Sequence, residues 1–296
     1  MIIVSLTGGL GNQMFQYSLG RALALKKNQT LVLDFGGIQI DQNPTKYGPD
    51  LLKFKLSKGV LKISNILVSR CFRGVLKLIS LVPMFSNFYQ TILDNKQGRF
   101  QPEIFTNESA NIFINGVWAS HKYSRGVISK LMCDFDSTST LSDKSKFFLS
   151  QIQTTASVAV HVRRGDNILN NAYMVDLSYY NEAAQIIFNN LGVNVTFFIF
   201  SNDIDWAKKN VLVNENVVYV DCNDGTRSFE DFTLMTSCQH FIIAASTYSW
   251  WAAWLAFNRG ENERIVIAPS NWGHGESFNI NSNPDYYPDG WLIIKT

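Results

Sequence analysis

Short β-branched and aromatic runs alternate with amphipathic stretches along most of this chain. In the second half, residues 158–164 (VAVHVRR), 195–201 (VTFFIFS), 217–221 (VVYVD), 241–245 (FIIAA) and 264–268 (RIVIA) predict strands. Residues 176–191, 203–212, 228–238 and 249–257 carry helical periodicity between them. Strands that are apolar on both faces and alternate with helices predict a parallel sheet covered on both sides. The first half opens the same way, with a strand at 2–6, a helix at 12–27 and a strand at 31–35. The alternation then loosens until residues 112–114. Two α/β domains follow from this pattern, covering 1–150 and 151–296, with the boundary in the stretch 140–155, which is polar at both ends.

Composition narrows the class. Of 296 residues, 46% are apolar and 17% charged, enough to bury a full core and too apolar for a disordered chain. A net charge of +2 excludes a globally basic nucleic-acid binder. The start lacks the basic and long apolar segments of a signal peptide, and no apolar run is long enough to span a bilayer. Four cysteines (Cys71, Cys133, Cys222, Cys238) stand far apart with no CxxC pair. They predict reduced, mostly buried thiols of a cytoplasmic protein. The charge is unevenly spread: residues 51–93 hold seven cations and no carboxylate, so the remainder carries −5. Apolar residues from Val60 to Ile79 recur there at near-helical spacing with basic residues between them. That pattern fits a surface helix of an ordinary domain, or a basic amphipathic helix docked peripherally on the inner membrane face.

Three motifs fall where strands give way to helices, the ligand-binding ends of parallel sheets. In the first, Thr7-Gly8-Gly9-Leu10-Gly11-Asn12-Gln13-Met14, Asn12 and Gln13 either cap the helix or offer amides to sugar hydroxyls. The second is His161-Val162-Arg163-Arg164-Gly165-Asp166. Paired arginines suit bidentate capture of phosphate; the alternative is an ion pair with Asp166 or Glu230. His161 can orient an arginine or touch a base. The third, Ser246-Thr247-Tyr248-Ser249-Trp250-Trp251, supplies hydroxyls and helix N-terminal N–H groups for phosphate, with Trp250, Trp251 and Trp254 as core. Asp203-Ile204-Asp205 reads as a metal-binding DxD or as helix-start acids, the second being favoured. Ser228 to Asp231 fits a helix-start cap, with Glu230 open, and His240 reads as a core histidine.

Taken together, GGLGNQMFQY, HVRRGD and EDFTLMTSCQHFIIAASTYSWWAAWL resemble the motifs of the family 11 glycosyltransferases, the α-1,2-fucosyltransferases. The resemblance covers the N-terminal turn and most of 158–272; residues 36–157 carry no matching motif. It implies a GT-B fold of two Rossmann-like domains facing across a cleft, the first on the acceptor side and the second binding GDP-fucose. It implies inverting, metal-independent transfer of L-fucose from GDP-β-L-fucose to the 2-hydroxyl of a terminal galactoside, with no cofactor beyond the donor and no nucleic acid as partner. By motif matching Arg163 and Arg164 hold the pyrophosphate, Arg164 being catalytic, and Ser246, Thr247 and Tyr248 add phosphate contacts. His161, Asp166, Asn202 and Asp203 complete the donor set, and Asn12 lies near the reacting centre. Two positions depart from the family pattern. Ala245 stands where it has asparagine, and Ser201-Asn202-Asp203 replaces Ser-Asp-Asp. The first departure keeps open a protein that binds the nucleotide sugar or a glycan without turning it over. The general base stays open among Asp166, Asp34, Asp94, Glu103 and His121.

Overall fold

A computed structural model describes residues 1–38, 48–95, 98–137, 140–164, 174–192, 194–211, 216–223, 227–260, 263–272 and 284–296. The chain divides into two compact units, Met1–Thr138 with Asp285–Tyr287, and Ser139–Pro284 with Pro288–Thr296.

The first unit holds a five-stranded parallel sheet. Its strands are β1 (Ile2–Ser5), β2 (Leu31–Asp34), β3 (Leu61–Ile63), β4 (Tyr89–Leu93) and β5 (Asn111–Asn115), in the order β3-β2-β1-β5-β4. The central β1 is buried at every position because strands flank it on both edges and helices cover both faces. Helix α1 (Leu10–Lys27) returns over it and ends on Asn28, whose left-handed backbone (φ 51°) closes the last turn. At Gly20 the helix lies so close to the sheet that a Cβ would come within 2.4 Å of Val4 Cγ2. The basic segment does not form one helix from residue 60. Leu61–Ile63 pairs with β2 instead, and α2 (Ile66–Ser80) starts at Asn65, whose side chain accepts from the N–H groups of Leu67 (2.8 Å) and Val68 (3.2 Å). A short helix α3 (Ile128–Asp134) is tied to α1 through Asp134, which accepts from Tyr17 Oη and Arg21 Nε.

The second unit opens with α4 (Asp143–Thr154), which lies within the expected boundary stretch 140–155 and is cut by a division at residue 150. Two contacts carry it into this unit. Ser142, its N-cap, donates from both N–H and hydroxyl to the Glu230 carboxylate (3.0 and 2.8 Å), and the helix packs on the strand that follows it. Six parallel strands follow: β6 (Ala156–Val162), β7 (Val195–Ser201), β8 (Val217–Tyr219), β9 (His240–Ile242), β10 (Val266–Pro269) and β11 (Leu292–Ile294). Their order, β11-β10-β9-β6-β7-β8, is that of a Rossmann sheet, and its reversal point lies between β6 and β9. Helices α5 (Leu177–Leu191), α6 (Ile204–Asn210), α7 (Ser228–Ser237) and α8 (Thr247–Phe257) connect them.

Alternation along the strands assigns the two faces. Val158, Val160 and Val162 of β6, with Phe197 and Ile199 of β7, pack with α5, whereas His161 points the other way, toward α8. Two adjacent tyrosines of α5 fix the ends of the strands. Tyr179 Oη donates to the carbonyls of Ile243 (2.7 Å) and Ile267 (3.1 Å), and Tyr180 Oη donates to that of His161 (3.1 Å). These bonds hold in place the strand ends from which the second and third motifs project. The cysteines depart from expectation: Cys238 is buried and Cys222 half-buried, but Cys71 and Cys133 are exposed on the outer faces of α2 and α3.

Candidate donor site at the sheet reversal

At the carboxyl ends of β6, β7 and β9 the structure gathers most of the residues singled out from sequence. Arg163 and Arg164 follow β6 directly. The Arg164 backbone N–H donates to Asn202 Oδ1 (2.9 Å), which pins the chain leaving β6 to the chain leaving β7. The Arg164 side chain lies with its guanidinium carbon 3.7 Å from the centre of the Trp206 ring, and its Nε contacts Asp203 Oδ2 at 3.4 Å. Asp203 works twice, since its other oxygen accepts the Trp206 N–H (3.3 Å) and caps α6. An ion pair therefore holds this arginine; among the described residues its partner is Asp203, while Glu230 pairs with Arg227. The stack and the Nε contact fix the guanidinium plane while leaving the edge formed by its two terminal amino groups for an anion. With Asp203 spent on an arginine and a helix cap, the DxD pattern reads as helix-start acids, as favoured from sequence.

Beyond β9, Ser246 is the extended N-cap residue of α8, and its side chain makes no capping hydrogen bond. Trp250 N–H is bonded back to Ser246 O (3.0 Å), so the N–H groups of residues 247–249 are those a helix start leaves without intrahelical acceptors. They lie beside the β6 end across the reversal point. The Tyr248 hydroxyl donates to the Ser228 carbonyl, and its ring lies between Phe232 (5.4 Å) and His161 (5.7 Å). Tyr248 thus ties α8 to the start of α7. Burial, and then the charge of Arg163, lowers the His161 pKa to about 3, so the imidazole is neutral, and its Nδ1 is buried without a hydrogen-bond partner. His240 is a satisfied core histidine, accepting from the Ile265 N–H at 3.1 Å. Trp250, Trp251 and Trp254 are core, as expected. Gly165 and Asp166 lie outside the described residues.

The start of α7 differs from the capping pattern. Its N-cap is Arg227, with no side-chain cap. Glu230 is buried; against burial, which raises its pKa, hydrogen bonds from Ser145, Ser142 and Arg227 bring it down to about 2. Asp231 accepts from Asn223 Nδ2 (2.6 Å), and burial, then repulsion from Glu230, pushes its pKa up to about 7. A carboxyl titrating near 7 when folded and near 3.8 when unfolded stabilises the fold only while it is protonated, so this contribution is lost as pH rises from about 4 through 7. Asp231→Asn, which keeps the oxygen facing Asn223, gains on the wild type over that window by up to about 1.4 kcal/mol per pH unit. The gain levels off above the window and vanishes below it. Urea unfolding of both proteins at a series of pH values measures this difference.

In the first unit, Gly8 has φ +71°, and a Cβ there would lie 2.6 Å from Asn12 Nδ2. Neither Asn12 nor Gln13 caps α1; the N-cap is Gly9, without a side-chain bond. Gln13 is wholly buried and braces the turn, donating to the carbonyls of Gly8 and Gly48 (both 2.9 Å) and accepting the Leu51 N–H. Asn12 stays half-exposed on the first turn of α1. Two of the possible bases are occupied by their own fold. Asp34 accepts from Gly36 N–H and Ser69 Oγ, and Asp94 accepts from the N–H groups of Gly98 and Trp118. Glu103 is exposed and His121 buried. Sequence reasoning missed Trp206. The signal was an aromatic three residues after the Asp203 cap, on the helix leaving the strand next to the arginine pair.

Two Rossmann-like α/β units, each built on a parallel sheet, define a two-domain architecture of the GT-B type. The chain belongs to glycosyl transferase family 11, whose model matches residues 104–295. It is 31% identical over 317 aligned positions to the alpha-1,2-colitosyltransferase of Escherichia coli, covering 100% of this chain and 99% of that protein. A 104-residue stretch is 32% identical to human galactoside alpha-(1,2)-fucosyltransferase 1, covering 33% of this chain and 28% of that one. The fold resembles that of the fucosyltransferase NodZ from Bradyrhizobium, with a TM-score of 0.51 at 14% identity over 85% of this chain and 90% of that one.

Proposed function

We propose that this enzyme transfers a 6-deoxy-L-hexose from its GDP-activated β form to the 2-hydroxyl of a terminal galactoside, with inversion at the anomeric carbon. L-Fucose is the donor sugar we favour. Colitose, which is L-fucose without its 3-hydroxyl, is the nearest chemical alternative and the sugar named for the Escherichia coli relative. The observation that carries the reading is Arg164, fixed between Asp203 and Trp206 beside the start of α8. As the glycosidic bond to GDP breaks, negative charge collects on the β-phosphate while the sugar approaches an oxocarbenium ion. A guanidinium already held in place meets that charge without reorganising, and the N–H groups at the start of α8 add to the same field. The arginine pair takes the place of a divalent ion. Arg163 contributes charge to the same anion, while burial, and then the charge of Arg163, keeps His161 neutral. In this reading Asn12 orients the acceptor hydroxyl through its amide, and Asp34 and Asp94, each already accepting hydrogen bonds from its own fold, serve structure.

The test is a matrix of GDP-L-fucose and GDP-colitose against terminal β-galactosides, run with EDTA present and read as GDP release, with linkage and anomeric configuration determined on the product by NMR. Acceptor-dependent GDP release giving an α-1,2 product supports the reading. Donor binding with no acceptor-dependent release would turn the assignment toward a nucleotide-sugar-binding protein.

A further inference from the structure

Helix α2 is built inside out. Its inward side sets Phe72 and Leu76 against Ile3, Val32 and Phe113 of the sheet, yet its solvent side is also apolar. Leu67, Cys71, Val75 and Leu78 recur at three- and four-residue steps along that outer side, all exposed. Leu78 near the end of the helix is 66% exposed, and the chain beyond continues the patch with Leu81 at 71%, Met84 at 83% and Phe85 beside them. A contiguous apolar face of this kind on a soluble fold marks a surface that meets something.

The charge around it says what. Arg70 and Lys77 flank the stripe, Lys62 precedes it, and none of the three forms an ion pair among the described residues. No carboxylate lies between residues 51 and 93. An open groove of about 560 Å³ adjoins the helix, lined among others by Arg73, Lys77, Tyr89, Thr91 and Asn115. Arg73 is held by Asp34 (3.8 Å) and the Phe113 ring, and Lys77, with the hydroxyl and amide donors around it, suits a phosphodiester headgroup. We propose that the outer face of α2 and the turn after it seat the protein on an anionic phospholipid surface. The leucines and Met84 enter the acyl boundary, Arg70 and Lys77 lie at headgroup level, and the groove receives a lipid phosphate. A second protein of ordinary surface would have to bring its own acidic rim to this face; an anionic bilayer supplies one everywhere.

The test uses the full chain with vesicles of phosphatidylcholine alone or enriched in phosphatidylglycerol. Co-sedimentation is expected with the anionic vesicles only, and it weakens as salt is raised. Arg70→Gln and Lys77→Gln each weaken partitioning about fivefold, the factor equivalent to about 1 kcal/mol per charge. Leu78→Glu with Leu81→Glu weakens it by about tenfold or more. Because these side chains already face solvent, melting temperatures are expected to hold. A Met84→Trp probe, whose emission shifts blue on anionic vesicles, reads insertion without removing any contact. Equal partitioning onto both vesicle types, or partitioning unchanged in the charge and leucine variants, overturns the proposal. So does a dimer in sedimentation velocity that Leu78→Glu dissolves, since the face would then belong to a second copy of the chain.

Discussion

Arg164→Ala is expected to lower kcat by about 10²–10³-fold, the loss seen when one preorganised donor to a developing anion is removed. The loss should fall mainly on kcat, because the charge this arginine meets is greater in the transition state than in the bound donor. Arg164→Lys should recover only part of it. An ammonium keeps the charge but cannot stack flat on Trp206 while presenting two parallel N–H groups to a phosphate. Stability should change little, since the Arg164–Asp203 pair is partly exposed. Steady-state kinetics on variants whose melting curves match the wild type decide the matter. Turnover near the wild-type level in folded Arg164→Ala protein would remove the guanidinium from the mechanism.

The second large effect is structural. Trp250→Ala should destabilise the second unit by about 3–5 kcal/mol, the range for truncating a buried large aromatic. Trp250 is fully buried and meets three other indoles, with ring centres 5.1 Å from Trp251, 6.1 Å from Trp254 and 5.6 Å from Trp291. The cavity left behind would sit under the first turn of α8, so donor affinity should fall along with stability. The corresponding drop in melting temperature is on the order of 10 °C, from about 2–4 °C per kcal/mol for a unit of this size. Calorimetry with and without GDP measures both. A melting temperature that hardly moves would mean that the indole cluster contributes little to holding α8.

Much of this was legible before any coordinates. The strands from Val195 and Val217 start where the apolar runs do, and the α1, α5 and α8 helices run to their expected last residues, because apolar periodicity and local capping dictate those elements. The arginine pair and the Ser246–Tyr248 turn were placed correctly at strand ends, since a parallel sheet puts its loops there. What failed was partnership. The Tyr248 hydroxyl goes to the Ser228 carbonyl, and Asp231, which reads as a cap, is half-buried against Asn223. Side-chain pairing of this kind depends on contacts between residues distant in sequence, which a local pattern does not encode. Strands β3 and β4 escaped notice for a related reason: both lie at sheet edges, are partly exposed, and so lack the continuous apolar run that marks a buried parallel strand.

The near-contact of α1 with Val4 at Gly20 bears on how the first unit moves. A helix seated that tightly has no room to rotate or slide along its strand without driving backbone into a side chain. Only glycine at position 20 permits this seating of α1 on β1, and the first turn that carries the Asn12 amide takes its place from it.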